Sequence, residues 1–139
     1  MNLKDIHIGH LIKVRFEEVE MSLERACKFL KCHEKDIVKM YGSSSIDTDI
    51  LLRWSKLLEY DFFRLYSGHL ILYSPPAAPE KKNQKKIKQS LPVFRKNIYT
   101  QEIKDFIIGK VKNGHMTVPE AMNAYNIPKT TIYKWMKKS

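Results

Sequence analysis

The stretch SPPAAPEKKNQKKIKQSLP, from Ser74 to Pro92, constrains the fold of this chain more than any other feature. It combines four prolines with a lysine run in which Ile87 is the one aliphatic residue. Pro75, Pro76 and Pro79 favour an extended start, and Lys81, Lys82, Lys85, Lys86 and Lys88 repel one another. The segment therefore reads as a solvated linker, with a short helix ordered only on a partner as the second reading. What remains is two pieces, 1–73 and 93–139, each the size of one small module. Of the 139 residues 43% are hydrophobic, enough for a core but with no room for a large multi-domain enzyme.

Charge divides along the same line. Residues 1–79 hold 11 Lys/Arg and 11 Asp/Glu, whereas residues 80–139 hold 14 and 4 and so carry the whole net charge of +10. A positive excess confined to one part points to a polyanion partner for that part, with nucleic acid first and an anionic membrane surface second. No run approaches 18 apolar residues, and the start MNLKDIHIGH lacks the basic and apolar regions of a signal peptide. A cytoplasmic protein that does not use a membrane is the expectation.

Apolar residues in the first part recur at helical spacing. Ile8, Leu11, Ile12, Phe16 and Val19 form one stripe, and Leu23, Ala26, Cys27 and Leu30 a second, with Ser22 as its N-cap. A third helix is expected from Glu34 to Tyr41, and a fourth, capped by Asp47 or Thr48, with Leu51, Trp54, Leu57 and Leu58 inward. Asp61 to Leu72 makes a fifth. The succession Ala26, Leu30, Cys32, Ile37, Met40 has gaps of four, two, five and three, the rhythm of buried positions in a helix-turn-helix. With five helices, residues 6–70 resemble the phage-repressor-like helix-turn-helix family. Glu34 and Asp36 at the start of the second helix would face phosphates. The module is therefore expected to serve packing or dimerisation, or to touch DNA weakly through Lys35 and Lys39.

The rhythm returns after the linker. Thr100 can cap a helix carrying Ile103, Phe106, Ile107 and Val111, ending near Asn113-Gly114. Thr117-Val118-Pro119-Glu120 is a capping-box arrangement with proline in the first turn. Ala121, Tyr125, Ile127, Ile132 and Trp135 then repeat gaps of four, two, five and three, with Asn126 suited to a left-handed turn and Pro128 opening the last helix. The stretch FRKNIYTQEIKDFIIGKVKNGHMTVPEAMNAYNIPKTTIYKWMKK resembles the N-terminal helix-turn-helix of insertion-sequence transposases, whose recognition helices often end in a run like Tyr133-Lys134-Trp135. Since no acidic catalytic domain follows these residues, the resemblance implies DNA binding and not strand transfer.

With Ile132 and Trp135 inward, the outer face of the last helix carries Lys129, Thr130, Tyr133 and Lys134, whose side chains suit base edges in a major groove. Lys137 and Lys138 suit phosphates, and Arg95 and Lys96 could act as an arm on the backbone or minor groove. The partner expected is double-stranded DNA, and residues 1–73 are the candidate surface for a homodimer. The rival reading is a protein-interaction module with a basic tail for RNA or membrane.

Other motifs have plainer readings. His7-Ile8-Gly9-His10 spells the signature of class I aminoacyl-tRNA synthetases, but without their nucleotide-binding sheet it reads as a helix start. Cys27, Cys32 and His33 could supply three metal ligands, but both cysteines read as buried helix-turn-helix core positions instead. The aromatic cluster Trp54, Tyr60, Phe62, Phe63, Tyr66 and Tyr73 either fills the core or is partly exposed for self-association. With scattered glycines and no nucleophile–base set, neither catalysis nor a cofactor, metal or small-molecule substrate is expected. The fold expected is all-α: a repressor-like module over 1–73, a linker over 74–92 and a transposase-like helix-turn-helix over 93–139.

Overall fold

A computed structural model describes residues 2–74, 88, 90–94 and 98–138, and these are all-helical, without strand. The helices are α1 (Ile8–Glu18), α2 (Leu23–Leu30), α3 (Glu34–Tyr41), α4 (Thr48–Leu57), α5 (Phe63–Tyr73), α6 (Gln101–Lys112), α7 (Val118–Tyr125) and α8 (Lys129–Lys138). They fall into two compact units, Asn2–Ser67 and Gly68–Ser139. The division lies inside α5, which buries Leu65 before it and Leu72 after it. Most of the proline- and lysine-rich segment lies outside the described residues.

In the first unit the starts of α1, α2 and α3 have a local cause, whereas the expected cap Asp47 stands at the head of α4 without a side-chain hydrogen bond to it. The His7 imidazole Nδ1 accepts from the His10 N–H at 3.1 Å, so the four-letter motif is indeed the start of α1. The Ser22 hydroxyl accepts from the Arg25 N–H at 3.2 Å at the head of α2. At the head of α3 the Asp36 carboxylate accepts from the His33 N–H at 3.0 Å. α1 packs on α3, and α2 packs on α3 and α4. Ile8, Ile12, Ala26, Ile37, Trp54 and Phe62 are buried between them. The Trp54 indole donates to the Met40 sulfur at 3.3 Å, and the Phe16, Tyr41 and Trp54 rings meet at centroid distances of 6.1, 6.3 and 6.4 Å. The aromatic cluster resolves both ways: Trp54 and Phe62 are core, Phe63, Tyr66 and Tyr73 are half-buried, and Tyr60 is exposed with the Arg15 guanidinium 5.5 Å from its ring centroid.

Gly9 explains how α1 and α3 come so close. Its N–H donates to the Ser43 carbonyl at 3.0 Å. A Cβ at this position would lie 2.1 Å from the Met40 carbonyl oxygen and 2.6 Å from that of Ser43. Only a residue without a side chain fits.

In the second unit α6, α7 and α8 pack against one another. The capping box closes in both directions, Glu120 N–H to the Thr117 hydroxyl at 3.3 Å and Thr117 N–H to the Glu120 carboxylate at 3.4 Å. Ile103, Ile107, Ala121, Ile127 and Ile132 form its buried centre.

The two units share one register. Every position in α2 and α3 has its counterpart 95 residues later: the caps Ser22 and Thr117, the buried Ala26 and Ala121, Leu30 and Tyr125, Ile37 and Ile132. The match extends back into the first helix, where Ile8 pairs with Ile103 and Ile12 with Ile107. The turn is the same as well. Lys31 has φ 54°, ψ 48° and Asn126 φ 53°, ψ 48°, and the Cys32 and Ile127 N–H groups reach back to the Cys27 and Met122 carbonyls at 3.1 and 3.3 Å. Left-handed backbone costs a lysine about 1–2 kcal/mol, and a glycine there loses about 0.5–1 kcal/mol in unfolded-chain entropy. Lys31→Gly is therefore expected to stabilise the first unit by roughly 0.5–1 kcal/mol, read as a rise in its thermal midpoint, while Asn126→Gly changes the second unit less.

Tyr41 is the one clear defect in this packing. Its hydroxyl is buried without a hydrogen-bond partner among the described residues. Burial first, then the Glu17 carboxylate and Cys27, pushes the phenol up to about 12. A pKa raised on folding means that the folded state holds the proton more tightly, so this contribution is complete below about pH 10 and is lost as pH rises toward 12. Tyr41→Phe is expected to match or exceed wild-type stability at neutral pH and to show a shallower decline than wild type between pH 10 and 12, measured by denaturant titration.

Candidate nucleic-acid interface

α8 begins at a turn that its own sequence builds. Asn126 supplies the left-handed residue, and the Pro128 carbonyl accepts from Thr131 and Ile132 at 3.0 and 3.2 Å. The helix then divides into two faces. Ile132 and Trp135 are buried, and Lys129, Thr130, Tyr133 and Lys134 are exposed, Tyr133 at 49%. The sequence placed all six correctly.

Trp135 anchors the helix from beneath. The Tyr99 ring meets it edge-on at 5.1 Å, and the Lys104 ammonium from α6 stands 5.9 Å from its ring centroid. On the outer face the Lys129 ammonium stands 5.7 Å from the Tyr133 ring, an i, i+4 contact that holds both side chains near one groove of the helix surface. Lys137 and Lys138 are exposed in the last turn. Arg95 and Lys96 lie outside the described residues.

Electrostatically the face is uncompensated. α8 contains no Asp or Glu. Among the described residues the ion pairs are Arg15–Glu18, Lys28–Glu24 and Arg64–Asp61, all in the first unit, so none of them neutralises an α8 lysine. Chemically the helix offers ammonium donors, a hydroxyl with a methyl group and a phenol on one solvent-facing strip, with further lysines at its end.

The corresponding strip of α3 is different. Glu34, Lys35, Val38 and Lys39 are exposed, and Asp36 is turned back into the helix start. Cys27 and Cys32 are free thiols, both half-buried, and burial first, then Cys27 and Asp36, pushes the Cys32 thiol up. Among the described residues no set of three His, Cys, Asp or Glu could hold a metal, and no helix is long and apolar enough to cross a membrane. No protein-family model, curated protein or solved structure matches the chain.

The sequence left two features unread. The register extends into α1 and α6, a match hidden because α1 and α6 begin at different points relative to it. The apolar segment Leu91–Phe94 stands exposed ahead of α6. Its signal was available in the run LPVF beside the linker lysines.

Proposed function

We propose that this chain is a cytoplasmic, non-catalytic protein that binds double-stranded DNA through α8, either a transcriptional regulator or a relative of the DNA-binding part of insertion-sequence transposases. The observation that carries the reading is the two-faced α8: an uncompensated basic and hydroxyl-bearing strip directly opposite a buried Ile132 and Trp135. A helix of this kind enters a major groove with its outer residues toward base edges, while lysines gather the phosphates. Support comes from the charge, since residues 80–139 hold 14 Lys/Arg against 4 Asp/Glu.

Replacing residues on the outer face separates reading from folding. Thr130→Ala and Lys134→Ala are expected to leave helicity and melting nearly unchanged and to weaken binding to a preferred duplex by roughly 1–3 kcal/mol each, with relaxed preference at one base pair. Lys137→Ala should weaken all duplexes about equally. Selection from a random duplex library followed by titration of each variant checks this. If Thr130 and Lys134 can both be replaced without change in preference, α8 does not read bases. Affinity should also fall steeply with salt, as release of counterions from several phosphates requires.

The first unit serves a different role in this reading. Its α3 presents a carboxylate, Glu34, where α8 presents Lys129, and it carries no net charge over residues 1–79. Exposed Phe29 and Val38, on α2 and α3, give it apolar surface for a second copy of itself. Light scattering of the full chain and of residues 80–139 tests this: a dimer is expected only when the first unit is present, and a dimer of 80–139 alone would overturn it.

A further inference from the structure

The most exposed large apolar side chains of the described residues are gathered just ahead of α6. Phe94 is 90% exposed and Leu91 79%, with Val93 and Ile98 also exposed. Elsewhere in the second unit aromatic rings have work: Trp135 and Tyr125 are buried, Phe106 carries the Lys110 ammonium 4.7 Å from its centroid, and Tyr99 braces Trp135. Pro92 restricts its own φ and holds Leu91 extended, so the LPVF run presents its side chains without needing a core.

The surroundings of this run select its occupant. From Lys81 to Gln101 there is no carboxylate, while Lys81, Lys82, Lys85, Lys86, Lys88, Arg95 and Lys96 are basic. Apolar residues framed only by positive charge fit a groove whose walls are phosphates. They fit poorly in a protein pocket, whose rim would have to be acidic on every side. Reach is adequate. Tyr99 is fixed against Trp135 of α8, and the chain from there back to Phe94 can extend at most about 17 Å, more than the roughly 12 Å width of the major groove that α8 would fill, so Phe94 can reach the adjoining minor groove.

We infer that Phe94, with Leu91 beside it, is an apolar wedge that enters the minor groove next to the α8 site, parts a base step and bends the duplex. The inference rests on the duplex-DNA reading of α8 and adds to it a second contact of opposite character: α8 reads edges in one groove and the wedge reads deformability in the other. Steps that unstack easily, TA and CA, would be favoured at the wedge without any hydrogen bond to them.

The test uses the full chain and an end-labelled duplex of about 30 base pairs containing several TA and CA steps, with energy transfer between its ends reporting the bend. Wild type is expected to raise the transfer on binding. Phe94→Ala should abolish that rise and weaken binding by roughly tenfold or more, the loss of one buried large apolar side chain, while Phe94→Leu retains most of both. The slope of log affinity against log salt should not change in Phe94→Ala, because no phosphate contact is lost. Both units should melt as in wild type.

Binding that leaves the duplex straight, or a Phe94→Ala variant that bends it as wild type does, overturns the wedge and leaves the α8 reading intact. Equal, Phe94-dependent affinity for the single strand of the same sequence also overturns it, making Phe94 a stacking platform. If the full chain binds no duplex at all, both readings fall together.

Discussion

Gly9→Ala is expected to unfold the first unit. A new Cβ would stand 2.1 Å from the Met40 carbonyl oxygen, 2.6 Å from that of Ser43 and 2.8 Å from that of Tyr41. All three are backbone atoms at the end of α3, so no side chain can swing aside to make room. Relief requires α1 to move off α3, which breaks the Gly9 to Ser43 and Ile8 to Ser44 hydrogen bonds and uncovers Ile8, Ile12 and Ile37. Overpacking alone costs typically about 1–3 kcal/mol, and the lost bonds and burial add to it. Against a unit stabilised by about 0.05–0.15 kcal/mol per residue, little remains. The chain has 2 tryptophans, and Trp54 is the one in this unit, so a melt followed on a Trp135→Phe background reports this unit alone. Gly109→Ala is the contrast. It lies inside α6 with nothing within 4 Å of the place a methyl group would take, and is expected to stabilise by roughly 0.5–1 kcal/mol. A wild-type midpoint for Gly9→Ala would mean that α1 and α3 do not approach as described.

Trp135→Ala is expected to unfold the second unit. The indole is 9% exposed and holds α8 against α6 through Tyr99 and Lys104. Truncating a buried tryptophan costs about 3–5 kcal/mol, comparable to the whole stability of about 45 residues. Far-UV circular dichroism should lose the helicity of α6, α7 and α8 while the Trp54 fluorescence melt stays at its wild-type midpoint. A cooperative transition of the second unit that survives in this variant would show that Trp135 is not its keystone.

How legible all this was differs by element. Helices α2, α3 and α7 could be read residue by residue, because each has a polar cap and an apolar rhythm that only a helix explains, and the Thr117–Glu120 capping box closes as expected. The inward and outward residues of α8 followed from the same rhythm. The boundary within α5 did not, since its residues are apolar nearly all round and give no periodic edge at Ser67. Lys31 holds the turn although lysine has no local preference for a left-handed conformation; packing on both sides of it imposes that backbone. Gly9 was equally opaque, since the partner that forbids a side chain there is backbone more than thirty residues away. The exposed strip of α8 was legible as chemistry, through charge and side-chain type.

The shared register also makes the two units interchangeable parts at their surfaces. Positions 34, 35, 38 and 39 occupy on α3 the stations that 129, 130, 133 and 134 occupy on α8, and one of the four, Lys39 against Lys134, is already the same residue. Glu34→Lys, Lys35→Thr and Val38→Tyr would give α3 the outer strip of α8 while leaving Ile37 and Met40 in place beneath it. The difference between the outer strips of α3 and α8 is thus written in a few solvent-facing letters on a common register, and either strip can be exchanged for the other without redesigning the core beneath it.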